Sequence, residues 1–250
     1  MAKVLTDSQH YTDIADAIRE KNGESTQYKP SEMASAIQGI QSGGGDIDAL
    51  IDRSITEINS NVGVVEEYAF YECAALTTAN FPNATSIMGY AFRGCSSLTN
   101  ISFPSLINWV YRYAFYNCKA LTTVNFPLLA NLEQYAFYGC KALTAITLPL
   151  IPSLGQYVFY GCSELTTVAF PAVTSIGSQA FRNCSKLTNL TLSNAEAVCT
   201  LSNVNAFDGT PIEDGTGYVY VPDDLVDSYK AATNWSTYAA QIKGLSELPA

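Results

Sequence analysis

One column of this sequence recurs at an almost constant interval. Phenylalanine stands at Phe70, Phe92, Phe115, Phe137, Phe159, Phe181 and Phe207. Cysteine follows three positions later at Cys73, Cys95, Cys118, Cys140, Cys162 and Cys184, and leucine three after that at Leu76, Leu98, Leu121, Leu143, Leu165 and Leu187. Successive cysteines lie 22, 23, 22, 22 and 22 residues apart. A fixed period of this length describes a stack of like units. One short unit cannot bury its apolar side alone, and a neighbour on each side must do it.

Each unit reads as one coil. In residues 121–127, LTTVNFP, Val124 and Phe126 alternate as one face of a strand should, and the same pair recurs as Ile101 and Phe103, Ile146 and Leu148, Val168 and Phe170, Leu190 and Leu192. Pro82, Pro104, Pro127, Pro149 and Pro171 close these strands, because proline has no N–H to give a ladder. A second apolar point falls five residues before each Phe, at Val65, Ile87, Val110, Leu132, Leu154 and Ile176, and turns the chain back toward the interior. Small residues precede each Phe at Ala69, Ala91, Ala114, Ala136, Val158 and Ala180. Strands ~4.8 Å apart make six coils about 30 Å long.

These AFxxCxxLTxΦxΦP units resemble the BspA-like, or Treponema-type, leucine-rich-repeat family over roughly residues 65–207. The resemblance implies a leucine-rich-repeat solenoid, a right-handed coil of short parallel β-strands with 22–23-residue repeats. For function it implies little, since such repeats serve adhesins and surface antigens alike.

The ends differ from the middle. Residues 217–222, GYVYVP, read as a strand, and LVDSYKAA after Asp223 and Asp224 reads as a helix over about 224–232. The pattern resembles the segment that closes BspA-like arrays, which makes Trp235 a packing anchor. At the other end, DSQHYTDIADAIREKNG predicts a helix over about 8–21, with Ile14, Ala17 and Ile18 as its apolar stripe and Gly23 as its stop. KPSEMASAIQGI predicts a second helix over about 30–40, and Gly43, Gly44 and Gly45 a joint. The pair resembles modules of phage tail and tail-fibre proteins from Gram-positive gut bacteria. The expected organisation is therefore a helical module at 1–42, a linker and cap at 43–64, repeats at 65–210 and a strand-plus-helix cap at 211–250.

Bulk properties narrow the function. Apolar residues make up 48% of the 250, enough for a sizeable core. The net charge of -10 argues against a nucleic-acid partner, which needs clustered Lys and Arg. No apolar run has the ~18 residues of a membrane span. The first residues, MAKVLTDSQHYTD, hold no apolar stretch, so no secretory signal is expected, and a virion or unconventionally reached cell surface is suspected.

Catalytic and metal-binding patterns are missing from the repeat. No CxxC pair occurs, and the cysteine spacing is that of the repeat. Neighbouring cysteines would be within disulfide range at the backbone but parallel at the side chain, so buried free thiols are expected. His10 is the only histidine, and adjacent carboxylates such as Glu66–Glu67 and Asp223–Asp224 lie near the ends of the array. The expectation is a non-enzyme without cofactor or metal that binds a protein or glycan. A tail-associated component leads, a bacterial surface adhesin follows, and a carbohydrate-active enzyme is a distant third.

Two repeated rows offer a binding surface. One is small and polar, on the strands, from Asn80 through Ser102, Asn125 and Thr147 to Thr191. The other is aromatic and basic. Tyr68, Tyr90, Tyr113, Tyr135 and Tyr157 stand two before each Phe; Tyr71, Arg93, Tyr116, Tyr138, Tyr160 and Arg182 stand one after it. Tyr and Arg dominate binding hot spots, and stacked tyrosines also serve structure. This stripe, with Trp109, is the expected binding site.

Overall fold

A computed structural model describes residues 53–249. The two helices expected at 8–21 and 30–40, and the first part of the linker and cap expected at 43–64, lie outside the described residues. What is described is a stack of coils with two rows of short parallel strands along it, here called ladders, the first divided into three hydrogen-bonded sheets and the second into two. The first ladder is built of three-residue strands: Glu57–Asn59, Thr78–Asn80, Asn100–Ser102, Thr123–Asn125, Ala145–Thr147, Thr167–Ala169 and Asn189–Thr191. Tyr218–Val221 and Ile242–Gly244 extend it in parallel. The second ladder uses two-residue strands: Val64–Val65, Ser86–Ile87, Trp109–Val110, Asn131–Leu132, Ser153–Leu154, Ser175–Ile176 and Thr200–Leu201.

Register follows the repeat. Val168 faces Leu190 and Ile176 faces Leu201, so each apolar column stays on one line. The strands are shorter than the alternation of Val124 and Phe126 suggests. The phenylalanine lies one residue past the strand, yet its amide still donates to the next coil, as Phe126 N does to Thr147 O at 3.1 Å. The following proline has no amide, and there the ladder stops.

The Phe, Cys and Leu columns form one interior. Phe92, Phe115, Phe137, Phe159 and Phe181 are fully buried, as are Cys95, Cys118, Cys140, Cys162 and Cys184. Rings of successive coils lie face to face, for example Phe115 on Phe137 at 5.3 Å with 2° between planes. All seven cysteines are free and buried, as expected. Five of these thiols also make a bond that spacing alone did not suggest. Cys95, Cys118, Cys140, Cys162 and Cys184 donate to the Phe carbonyl of the coil before, at 3.0 to 3.2 Å.

Four of the six threonines that follow the column leucines bond across coils in the same way. Thr77, Thr99, Thr144 and Thr188 point a hydroxyl at the backbone carbonyl of the corresponding residue one coil earlier, at 2.9 to 3.3 Å. Each of these carbonyls also accepts the threonine's own backbone amide, as Thr56 O does from Thr77 N at 2.8 Å, so the hydroxyl adds a second bond between coils.

The C-terminal end is closed as the sequence indicates, with more parts than expected. In the last coil Thr210 replaces cysteine; its hydroxyl bonds Phe207 O at 2.6 Å and accepts from Glu213 N, starting helix α1 (Pro211–Asp214). Helix α2 covers Val226–Ala231, preceded by a 3-10 turn, somewhat shorter than expected. Trp235 is buried against Phe207, and its indole N–H donates to Cys199 O at 2.6 Å. Tyr229 accepts from Cys199 N at 2.9 Å, and Tyr238 lays its edge on Phe207 and donates to Val204 O. These three aromatic side chains cover the end of the phenylalanine stack that would otherwise face water.

Candidate functional site

The bend between the second ladder and the cysteine carries the candidate residues. Amides alternate in use there. Tyr68 N, Phe70 N and Glu72 N donate to the next coil at 3.2, 2.7 and 2.6 Å. Ala69 N, Tyr71 N and Cys73 N turn back within their own coil, at 3.2, 3.0 and 3.2 Å. Two positions of each bend adopt left-handed backbone. The one before cysteine is Glu72, Gly94, Asn117, Gly139, Gly161 or Asn183, mostly the Gly and Asn that such a turn favours. The other is occupied by Tyr68, Tyr90, Tyr113, Tyr135 and Tyr157, with φ of 59 to 62°, and then by Gln179.

A bulky residue at φ near +60° is strained by roughly 1–2 kcal/mol. Here the strain aims five rings along one line. Tyr68, Tyr90, Tyr113, Tyr135 and Tyr157 stack at centroid distances of 4.6 to 4.8 Å with 8 to 16° between planes. Offset-stacked aromatic pairs contribute about 0.5–1.5 kcal/mol each, which offsets the backbone cost. The Tyr113 and Tyr135 phenols are pushed up in pKa, by burial first and then by neighbouring phenols.

A second column runs beside the first. Tyr116, Tyr138 and Tyr160 stack at 4.6 Å. Arg93 sits where a ring is missing, with its guanidinium 5.4 Å from the Tyr71 ring, 5.7 Å from Tyr90 and 5.2 Å from Tyr116. Arg182 ends the column, paired with Asp208 at 3.4 Å and Gln179 at 3.2 Å. Eleven of the twelve residues singled out in the sequence thus share one face. Trp109 does not join their ring contacts: it lies on the second ladder, 37% exposed, with Tyr111 as its stacking partner at 5.3 Å.

The structure adds residues that sequence reasoning passed over. Asn117, Gly139, Lys141, Gly161, Ser163 and Asn183 join the expected Tyr138 and Tyr160 in lining an open groove of about 370 Å³ along this face. The groove exists because the column before cysteine falls to glycine in two adjacent coils. The signal was in the sequence as the exchange of Gly and Asn at that position. The polar row on the strands is exposed along most of its length, although Thr191 is buried under the C-terminal cap strand.

Among the described residues, no group of three or more His, Cys, Asp and Glu side chains is placed to hold a metal. No described helix is long and apolar enough to cross a membrane.

A solenoid of short parallel strands with columns of buried Leu, Phe and Cys is a leucine-rich-repeat protein. This chain belongs to the family of the BspA type leucine rich repeat region, which matches in six copies over residues 52–149 and 112–218. Similar solved structures include a leucine-rich repeat protein from Bacteroides ovatus, 14% identical, covering 66% of this chain and 63% of its own, with a TM-score of 0.39. A leucine rich cell surface protein from Faecalibacterium prausnitzii is 18% identical over 76% of this chain and 63% of its own, with a TM-score of 0.44. The T. pallidum leucine rich repeat protein is 22% identical over 76% of this chain and 78% of its own, with a TM-score of 0.38. The chain thus spans less than two-thirds of the length of the first two. No curated protein matches it.

Proposed function

We propose that this protein is a non-catalytic interaction module of a bacterial surface, an adhesin-like repeat whose tyrosine–arginine face docks a protein or glycan. The observation that carries this reading is the tyrosine column held at positive φ. Glycine would relieve that backbone, so five tyrosines there buy something at the surface that glycine cannot. Attachment to a larger assembly, of a cell surface or a virion, falls in this reading to residues 1–42, whose sequence resembles tail modules.

Binding of the full chain to immobilised host glycoproteins tests it. Tyr116→Ser with Tyr138→Ser strips the outer column at ordinary backbone positions and leaves the buried columns intact. Lost binding with a retained cooperative melt supports the reading. Undiminished binding by that double variant rejects this face as the docking surface. Product formation from a bound glycan would favour the enzyme instead.

A further inference from the structure

Gly139 and Gly161, in adjacent coils, open a groove between Asn117 and Asn183 of the same column. Asn117 and Asn183 occupy the same position in the coils on either side, at φ of 58° and 61°, so the backbone does not demand glycine there. The Asn117 carboxamide leans over the gap: a Cβ on Gly139 would come 2.3 Å from Asn117 Oδ1. Asn183 donates its amide to Tyr160 Oη at 3.0 Å, which leaves its carbonyl oxygen for another partner. Among the described residues, the Asn117 side chain makes no hydrogen bond and Lys141 has no carboxylate partner. Lys119, at the same position one coil earlier, likewise has no carboxylate partner among the described residues but does not line the groove. On the other side Lys186 is paired with Glu164 at 2.6 Å and Arg182 with Asp208 at 3.4 Å.

The groove therefore offers one uncompensated ammonium among neutral amides, phenols and a serine hydroxyl. On a chain of net charge -10 an unpaired cation ringed by hydrogen-bonding groups is a selective feature. A dense polyanion is disfavoured by the long-range field. A single carboxylate beside several hydroxyls is matched: the ammonium takes the charge, and amides and phenols take the hydroxyls. The tyrosine rings are stacked on each other, so it is their polar edges, not an apolar pocket, that meet the ligand. We infer that the groove over Gly139 and Gly161 binds a sugar unit bearing one carboxylate, with Lys141 as its counter-ion. This rests on the reading of the face as a docking surface and names its ligand chemistry.

The test titrates the full chain with sialyllactose and with a galacturonic acid trisaccharide. Lactose and the carboxyl-reduced trisaccharide are the neutral arms, and a tetraglutamate peptide is the acidic-peptide arm. Two variants probe the groove. Lys141→Met removes the charge. Gly161→Asn fills the space with the residue the same column uses at 117 and 183, and a Cβ on Gly161 meets nothing closer than Gly139 Cα at 4.0 Å. At least one acidic sugar should bind. Its neutral counterpart and Lys141→Met should each lose affinity by about tenfold or more, the size of one charge-assisted hydrogen bond. Gly161→Asn should abolish binding with an unchanged melt.

Equal affinity for the neutral sugar, wild-type binding by Gly161→Asn, preference for the peptide, or no binding of either acidic sugar would each overturn the inference. In all four cases the wider reading survives if the tyrosine double variant still loses its glycoprotein partner.

Discussion

The thiol of Cys162 donates to the backbone carbonyl of Phe137, one coil earlier, at 3.2 Å. The same carbonyl accepts the Cys140 amide at 3.2 Å. The buried Phe and Cys columns are thus joined by hydrogen bonds as well as by packing, and the two residues should respond to truncation differently. Cys162→Ala leaves the carbonyl with its amide partner, so the loss is one weak thiol hydrogen bond and the burial of one sulfur, about 1 kcal/mol. Phe137→Ala removes a ring held between Phe115 at 5.3 Å and Phe159 at 5.8 Å and should cost about 3–5 kcal/mol. Urea titration of both variants checks the order; equal midpoints would mean that the phenylalanine column does not carry the core.

Tyr113 reverses the usual ranking of alanine and glycine. Its φ is 60°, and its ring stacks on Tyr90 at 4.8 Å and Tyr135 at 4.7 Å. Both small replacements lose the stacking, but only alanine keeps the backbone strain. Tyr113→Gly should be more stable than Tyr113→Ala by about 1 kcal/mol. Paired melting curves decide it, and a more stable alanine variant would be incompatible with a left-handed backbone at this position.

Gly177 is required for a different reason. A Cβ there would stand 2.7 Å from Gln156 N and 2.8 Å from Gly155 C, both backbone atoms of the adjacent coil. Gly177→Ala should therefore force the coils apart and cost about 2 kcal/mol or more. Gly63, whose Cβ would meet nothing within 4 Å, is the control, and Gly63→Ala should be close to neutral. A harmless Gly177→Ala would show that the coils are not so closely apposed.

Alkali should unfold the protein early. Burial pushes the Cys73 and Cys199 thiols up to about 12, and raises Cys95, Cys118, Cys140 and Cys162 as well. Below the ordinary thiol range, near 8.5, folded and unfolded chains are both protonated and the full contribution is present. Above it the unfolded chain releases protons that the folded chain keeps, so stability falls as pH rises from about 9 toward 12. Tyr229 and Tyr238, also pushed up to about 12 by burial first, add to the loss above pH 10. Melting temperature under reducing conditions should decline steadily from pH 9 to 11; a flat profile would place the thiols in water.

The period of the Phe, Cys and Leu columns was enough to read the solenoid, its inward columns and its terminal anchor Trp235. Periodicity is a property of the chain itself, and burial by stacked neighbours follows from it directly. Eleven of the twelve tyrosines, arginines and one tryptophan chosen as a surface do line one face, because equal spacing in sequence becomes alignment in space. Trp109 stands apart from their ring contacts: it precedes Val110 on the second ladder, outside the repeat positions of the stripe, and stacks on Tyr111. The positive φ of Tyr113, the cross-coil bond of Cys162 and the groove over Gly139 and Gly161 were settled only by tertiary structure. Each depends on what the adjacent coil presents at a few ångströms, a quantity that a single repeat does not contain.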